Sequence, residues 1–449
     1  EAFLEIQEAY ETLRDPGKRR NYDQFLPADL KKDPRVAISV KYSKSAIAPI
    51  QEPQLVYALL DVECLAGREE VASPQKHICF VIDRSTSMQG KRMDMVKANL
   101  LKILPEFAPN DLISIVAFSD RPEILCASAS ISQKDAIIEK VEKIECSGST
   151  EIYQGLKAGT DLLRLTGISN PIRHLILLTD GHTYGDEENC IRLSKEAFEL
   201  GIMFNAMGIG SEWNDTFLDL ITSLTGGTTV FIKSEEDLYQ FICQKINLSS
   251  YTYASNMRLE YKNDAGVTLK TAFRIQPEFM PLETGDLVAL GDIFYESKSQ
   301  FLLEFIIQPL KKGKGTIHLS KGSVKMDIHA AENREARVKL NLSVKIDENA
   351  ERENPPLEIV RALSRLTLYH MQEKNRVEVG NGDYKSAVKR MHYLASKMLT
   401  RGDRNLARQI LLEAEQVNTS KHFSQEGEKR IKYGTKNLFL LPGPEPRIS

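Results

Sequence analysis

Apolar positions along this chain change rhythm several times, and each rhythm predicts a different kind of element. Within residues 1–26, Phe3, Ile6, Tyr10 and Leu13 recur every three to four positions, as on one helix face, and Asp15-Pro16-Gly17 ends the helix. Residues 27–35 are polar and contain prolines, which predicts a linker. Val36–Tyr42 and Leu55–Cys64 then alternate apolar and polar side chains, the period of a half-buried strand. From His77 the pattern changes. Short apolar runs at 78–82, 112–118, 174–178, 202–208 and 228–232 alternate with helical stretches at 91–104, 133–143, 151–165, 187–200, 214–225 and 235–247. Strands that alternate with helices require crossover connections, so residues 77–247 are expected to form a doubly wound α/β unit, with a mainly parallel sheet covered on both faces.

Beyond Ser249 the strand period returns in Met257–Tyr261, Val267–Ile275, Asp286–Phe294, Gln300–Pro309, Gly315–Leu319, Ser323–Ile328 and Ala336–Val344, with Gly, Pro or Asn between runs. This spacing predicts a β-sandwich over 248–346. The strands within 36–76 are expected to join it, which makes the α/β unit an insertion between two pieces of one sandwich. After Asn354-Pro355-Pro356 the pattern turns helical, at about 357–374, 383–400, 403–417 and 424–433, giving a C-terminal helical region over 355–435 and a tail at 436–449. Gly382-Asp383 and Gly402-Asp403 open two of these helices, with Asp suited to the N-cap. Arg401-Gly402-Asp403 spells an adhesion tripeptide, but a helix-turn-helix corner accounts for it.

With 449 residues the chain is long enough for two to four domains and a large core. Lys and Arg number 59 against 62 Asp and Glu, so no overall field steers the protein to nucleic acid or an anionic membrane, and any partner must be recognised locally. No apolar run is long enough to cross a bilayer, and the acidic, amphipathic start is unlike a secretory signal; a cytoplasmic location is expected. The six cysteines, Cys64, Cys79, Cys126, Cys146, Cys190 and Cys243, include no CxxC pair and read as reduced core and loop thiols.

Chemistry concentrates at three predicted strand ends. Asp83-Arg84-Ser85-Thr86-Ser87 follows the first α/β strand, Ser147-Gly148-Ser149-Thr150 precedes the helix at 151, and Leu177-Leu178-Thr179-Asp180-Gly181 closes the central apolar strand. Open parallel sheets bind ligands at the carboxyl ends of their strands. Asp-x-Ser-x-Ser alone is equally a strand-end turn with a helix cap, because Asp and Ser favour such positions. Its combination with Thr150 and Asp180 resembles the von Willebrand factor A (VWA) family and its metal-ion-dependent adhesion site, over roughly His77–Asn247.

The resemblance implies a Rossmann-like α/β fold with Asp83, Ser85, Ser87, Thr150 and Asp180 as the metal-site residues. In the family's liganded arrangement the positions of Ser85, Ser87 and Thr150 coordinate directly, and those of Asp83 and Asp180 act mostly through water. Mg²⁺, or Mn²⁺, suits such an oxygen-rich site. Neutral hydroxyls leave the cation's charge poorly compensated, so the partner implied is a protein offering Asp or Glu to the metal. In overall order the chain is similar to bacterial VWA proteins of the inter-alpha-trypsin-inhibitor and chloride-channel-homologue-like type. The leading expectation is therefore a non-enzymatic, Mg²⁺-dependent protein-binding module. The alternative is an adaptor for an AAA+ ATPase of the MoxR type. A metal-dependent hydrolase is disfavoured, since neither a general base nor a second-metal carboxylate cluster is legible.

Other motifs carry less. Lys311-Lys312-Gly313-Lys314-Gly315-Thr316 departs from Walker A spacing and reads as a basic hairpin turn, and His182, beside Asp180, reads as a loop histidine. Residues 1–26 resemble the C-terminal part of a J-domain, on Phe3, Ile6, Ala9, Tyr10, Leu13, Asp15, Pro16, Lys18, Arg19, Tyr22 and Asp23. That resemblance implies a link to a DnaK-type chaperone, although the family's His-Pro-Asp loop would lie upstream of Glu1.

Overall fold

The computed structural model of the protein describes residues 35–67, 74–165, 171–183, 185–310, 315–329, 335–350 and 353–437, with Tyr10, Arg14, Lys18, Gly167 and Gly313 besides. The J-domain resemblance and most of the linker therefore lie outside the described residues. Tyr10, Arg14 and Lys18 are helical, with the Arg14 guanidinium 5.9 Å from the centre of the Tyr10 ring. Most of the basic turn at 311–314 and of the tail at 436–449 also lies outside.

The chain opens with β1 (Val36–Tyr42), β2 (Ala46–Ile47) and β3 (Gln54–Cys64), then leaves for the α/β unit. That unit runs β4 (Lys76–Asp83), α1 (Lys91–Ile103), β5 (Leu112–Phe118), β6 (Pro122–Ala129), α2 (Lys134–Glu142), α3 (Ile152–Arg164), β7 (Ile172–Thr179), α4 (Glu187–Glu199), β8 (Ile202–Ile209), α5 (Asp215–Ser223), β9 (Thr229–Ile232) and α6 (Glu235–Ser250). Its sheet has the order β6-β5-β4-β7-β8-β9, parallel throughout except for β6. Every residue of β4 is buried, because helices cover both faces of a parallel sheet. Ile78, Phe80 and Ile82 point into one core layer with Met93, Val96 and Leu100 of α1 and Ile242 and Ile246 of α6. Cys79 and Val81 point into the other, with Leu156 and Leu163 of α3, Leu193 of α4 and Leu218 of α5. The chain places β5 on one side of β4 and β7 on the other, so the carboxyl end of β4 is the sheet's topological switch point.

The remaining strands are β10 (Thr252–Lys262), β11 (Val267–Gln276), β12 (Met280–Leu282), β13 (Leu287–Phe294), β14 (Lys298–Ile307), β15 (Gly315–Ile328) and β16 (Glu335–Ile346). They form two sheets, β1-β3-β14-β11-β12 and β13-β10-β15-β16-β2. Side chains of both, among them Ala58, Leu60, Leu303 and Phe305 from the first and Met257, Leu259, Leu319 and Val324 from the second, share one core. Strands on either side of the α/β unit thus build a single sandwich; β3 pairs with β14 from Gln54 opposite Ile307 to Glu63 opposite Lys298.

Two local patterns misled. The sequence predicts a turn near Gly322, but β15 runs unbroken through it. A Cβ at Gly322 would lie 1.9 Å from the Glu260 carbonyl oxygen, so this glycine serves close strand approach instead of a turn. β6 went unpredicted because it is an edge strand with mostly exposed side chains and therefore lacks an apolar signal.

The C-terminal helices are α7 (Leu357–Gly380), α8 (Tyr384–Thr400), α9 (Arg404–Ser420) and α10 (Gly427–Asn437). Asp383 and Asp403 cap α8 and α9, accepting from the backbone N–H of Ser386 (3.2 Å) and Leu406 (2.8 Å). The Arg401-Gly402-Asp403 tripeptide is that second corner. α7 packs Ile359 and Leu366 against Leu59, Phe273 and Leu302 of the sandwich, while α10 turns back onto the α/β unit. Among the described residues no helix is long and apolar enough to cross a membrane.

Candidate metal centre

Three loops meet where β4, β5 and β7 end, and backbone hydrogen bonds lock them together. The Arg84 N–H donates to the Phe118 carbonyl (2.8 Å), which ties the first loop to the end of β5. The Ser147 N–H donates to the Arg84 carbonyl (2.8 Å), and both the N–H and the hydroxyl of Thr86 donate to the Gly148 carbonyl (3.2 and 3.1 Å), which ties it to the second loop. Gly148 has φ +81°, and a Cβ there would lie 2.6 Å from an Asp120 carboxylate oxygen. The glycine lets Asp120 reach the second loop, where its Oδ1 accepts from the Ser149 N–H at 2.9 Å.

This scaffold brings the five predicted residues to one place. Asp83 ends β4 with its side chain buried; Oδ1 accepts from the Ser85 N–H (2.8 Å) and Oδ2 from the Thr179 hydroxyl (2.7 Å). The Ser85 and Ser87 hydroxyls are 3.0 Å apart, and the Ser87 hydroxyl donates to Oδ1 of Asp180 at 2.7 Å. Thr150 comes in from the second loop: a Cβ at Gly181 would lie 3.0 Å from its Oγ1. The Thr150 hydroxyl makes no hydrogen bond to another described residue. Asp83, Ser85 and Asp180 are buried, Thr150 is half-buried and Ser87 is exposed, so the group opens to solvent on the Ser87 side.

The electrostatics are unbalanced. Burial pushes the Asp83 carboxyl up to about 6 against the hydrogen bonds from Thr179 and Ser85, and the neighbouring Asp180 charge adds to the rise. The positive group against this pair is Arg92 of α1, whose Nη1 donates to Oδ2 of Asp180 and, at 3.1 Å, to the Ser87 carbonyl. Among the described residues no three His, Cys, Asp or Glu side chains gather as a soft or carboxylate-rich metal cage requires. A cation here would depend on hydroxyls from Ser85, Ser87 and Thr150 and on the two carboxylates, an all-oxygen donor set that suits a hard ion such as Mg²⁺ or Mn²⁺. His182 is exposed. Five of the cysteines are buried, Cys146 is partly so, and none forms a disulfide.

Thr179 and Arg92 were missed in the sequence. Thr179 directly precedes Asp180, but only the pairing of β4 with β7 shows that its hydroxyl reaches Asp83. Arg92 did carry a faint signal, as a cation in the first turn of a helix, where the macrodipole disfavours it.

Residues 77–264 match the family model of the von Willebrand factor type A domain, and residues 357–441 match that of the Sll0103-like, C-terminal alpha-helical domain; neither match reaches residues 1–26. The uncharacterized protein sll0103 of Synechocystis is 28% identical over 251 residues, covering 54% of this chain and 59% of that protein. Inter-alpha-trypsin inhibitor heavy chain H1 of Sus scrofa is 30% identical over 207 residues, 43% of this chain and 23% of that protein. The matched stretches thus span less than two thirds of these relatives. Among solved structures, a von Willebrand factor type A protein from Catenulispora acidiphila superposes with a TM-score of 0.72 at 14% identity, over 90% of this chain and 97% of that one. The ArnB paralog VWA2 from Sulfolobus acidocaldarius does so with a TM-score of 0.55 at 16% identity, over 91% of this chain and all of that one. At those identities the likeness concerns fold, and it extends beyond the α/β unit to nearly the whole chain. On these grounds residues 77–264 form a VWA domain and residues 357–441 an Sll0103-like helical C-terminal domain, and the chain is related to Sll0103 and to the inter-alpha-trypsin inhibitor heavy chains.

Proposed function

We propose that this protein is a divalent-cation-dependent protein-binding module, with Mg²⁺ or Mn²⁺ held by Ser85, Ser87, Thr150, Asp83 and Asp180. One observation carries the reading: two buried carboxylates stand side by side at the switch point, surrounded by hydroxyls, with partly exposed Arg92 as the one ion-pair partner among the described residues. The Thr150 hydroxyl, lacking a described partner, is free to act as a ligand. Asp83 holds the Ser85 backbone and Asp180 holds the Ser87 hydroxyl, so the two carboxylates orient the serines instead of crowding the opening. The bound cation supplies an exchangeable, positively charged position for an external oxygen. The partner fitted to it is a protein presenting an Asp or Glu side chain.

The test is titration calorimetry with Mg²⁺ and with Mn²⁺ on wild type and on Thr150→Ala. Thr150 lies outside the packed core, so the variant should fold and bind the cation at least about tenfold more weakly. Bound cation should also raise the melting temperature, by the equivalent of about 1.4 kcal/mol at a tenfold excess over Kd. Undiminished binding in Thr150→Ala would place the cation elsewhere. A pull-down from cell extract in Mg²⁺ and in EDTA then separates cation-dependent partners from the rest; an AAA+ ATPase among the former would make the module an adaptor.

A further inference from the structure

Arg92 is the residue near this site that the family resemblance does not account for. It lies in the first turn of α1, after Lys91 and the Gly90 cap. Two positive side chains there oppose the helix macrodipole, so helix formation does not explain the arginine. Its surroundings do. Nη1 bridges the Asp180 carboxylate and the Ser87 carbonyl. The other edge of the guanidinium lies against Gly210, in the loop after β8: a Cβ at Gly210, which has φ +71°, would approach Nη2 to 3.0 Å. That loop is itself fixed, because the Trp213 indole N–H donates to the Gly210 carbonyl at 2.9 Å. The guanidinium is thus seated between two loops with its charge against Asp180, which is itself buried.

Given the cation site proposed above, on which this inference rests, we infer that Arg92 is a built-in competitor for that site: its guanidinium neutralises Asp180 when no cation is bound, and it weakens the hold of a divalent ion that must share the same carboxylate. Oδ2 of Asp180 cannot give its full charge both to Arg92 and to a second cation, and two positive groups drawn to one carboxylate repel at short range. Asp180 therefore keeps a counter-charge in either state, so emptying the site does not leave a bare buried carboxylate. The consequence is a cation held loosely enough to exchange. The side chain is long and 35% exposed, so it can turn outward when displaced without breaking the core.

Calorimetric Mg²⁺ titration and thermal melts of wild type, Arg92→Met and Arg92→Lys test the idea. Met keeps the aliphatic stem and removes the charge, while Lys keeps the charge. In EDTA, Arg92→Met should melt below wild type, because Asp180 has lost its counter-charge. Its Kd for Mg²⁺ should nevertheless be smaller by about five- to tenfold, and saturating Mg²⁺ should remove the melting deficit. Arg92→Lys should stay close to wild type. A purely structural arginine would lower the melting temperature equally with and without Mg²⁺, and an arginine that helped build the site would raise the Kd in Arg92→Met; either result overturns the inference while wild-type binding leaves the cation site standing. Absence of Mg²⁺ binding in all three proteins overturns both.

Discussion

Two pairs of buried aspartates lie in the VWA domain, and they are treated in opposite ways. Asp215 and Asp219 of α5 face the C-terminal helices, where Arg376 of α7 grips Asp215 with two hydrogen bonds of 2.9 Å. Lys432 of α10 reaches both aspartates, and Lys436 donates to Asp219 at 2.9 Å. Burial alone would push these carboxyls up, but Lys432, Arg376 and Lys436 hold both below the usual range. Asp83 and Asp180 are at least as deeply buried, yet hydroxyls and one half-exposed arginine surround them, and Asp83 is raised instead of lowered. A pair whose counter-charges are built in has a settled structural task, here docking α10. A pair left short of positive charge is suited to a cation that comes and goes.

The contrast breaks most visibly at Lys432. Lys432→Met removes a cation shared by both aspartates in a dry interface and should cost about 3–5 kcal/mol in urea unfolding, with α10 released from the VWA domain. A loss below about 1 kcal/mol would show that Arg376 and Lys436 suffice. Trp213, which packs on Tyr433 of α10 with ring centres 5.5 Å apart, offers a fluorescence readout of that release.

Acid should expose the same pair. Asp215 has a folded pKa below its unfolded value of about 3.9, so its stabilisation is complete above that value and is lost as pH falls through it toward the folded one. Stability measured between pH 5 and pH 3 should drop by about 1.2 kcal/mol from this group, and Asp215→Asn should flatten that part of the curve. A curve unchanged by the substitution would assign the acid sensitivity to other carboxyls, of which buried Glu278 is the first candidate: although burial raises it, Lys245 and Arg274 hold it at about 2.

The smallest effect is expected at the other pair and has the opposite sign. Asp83→Asn removes a buried charge that lacks a cation of its own, and in EDTA it should stabilise the protein by about 1 kcal/mol. The same variant should lose the stabilisation that Mg²⁺ gives wild type. Destabilisation in EDTA would mean that the Asp83 charge is already compensated, and the two aspartate pairs would then be alike.

Much of this was legible from residue type and spacing. The α/β alternation from His77, the sandwich strands and the C-terminal helices all follow from periodicity, because each element must turn an apolar side to a core. Asp83, Ser85, Ser87, Thr150 and Asp180 could be named because, at predicted strand ends, they resemble the metal-site residues of the VWA family. The exceptions have local causes: β6 is an exposed edge, and Gly322 is in a strand because its neighbour passes too close for any side chain. Asp215 and Asp219 gave no signal, since i and i+4 acids on a helix ordinarily mark a solvated face.

By itself the sequence determined which segments are strands or helices, because periodicity is a property of the chain, and its resemblance to the VWA family pointed to five side chains as candidates for one cation. Only the tertiary structure decided where charges more than 80 residues apart find one another. Arg92 meets Asp180, and Lys432 meets Asp215 and Asp219, through packing that depends on the order of strands in the sheet and on the return of α10. Charge pairing acts through space, and a buried carboxylate's behaviour is set by what lies beside it in the fold and not by its neighbours along the chain.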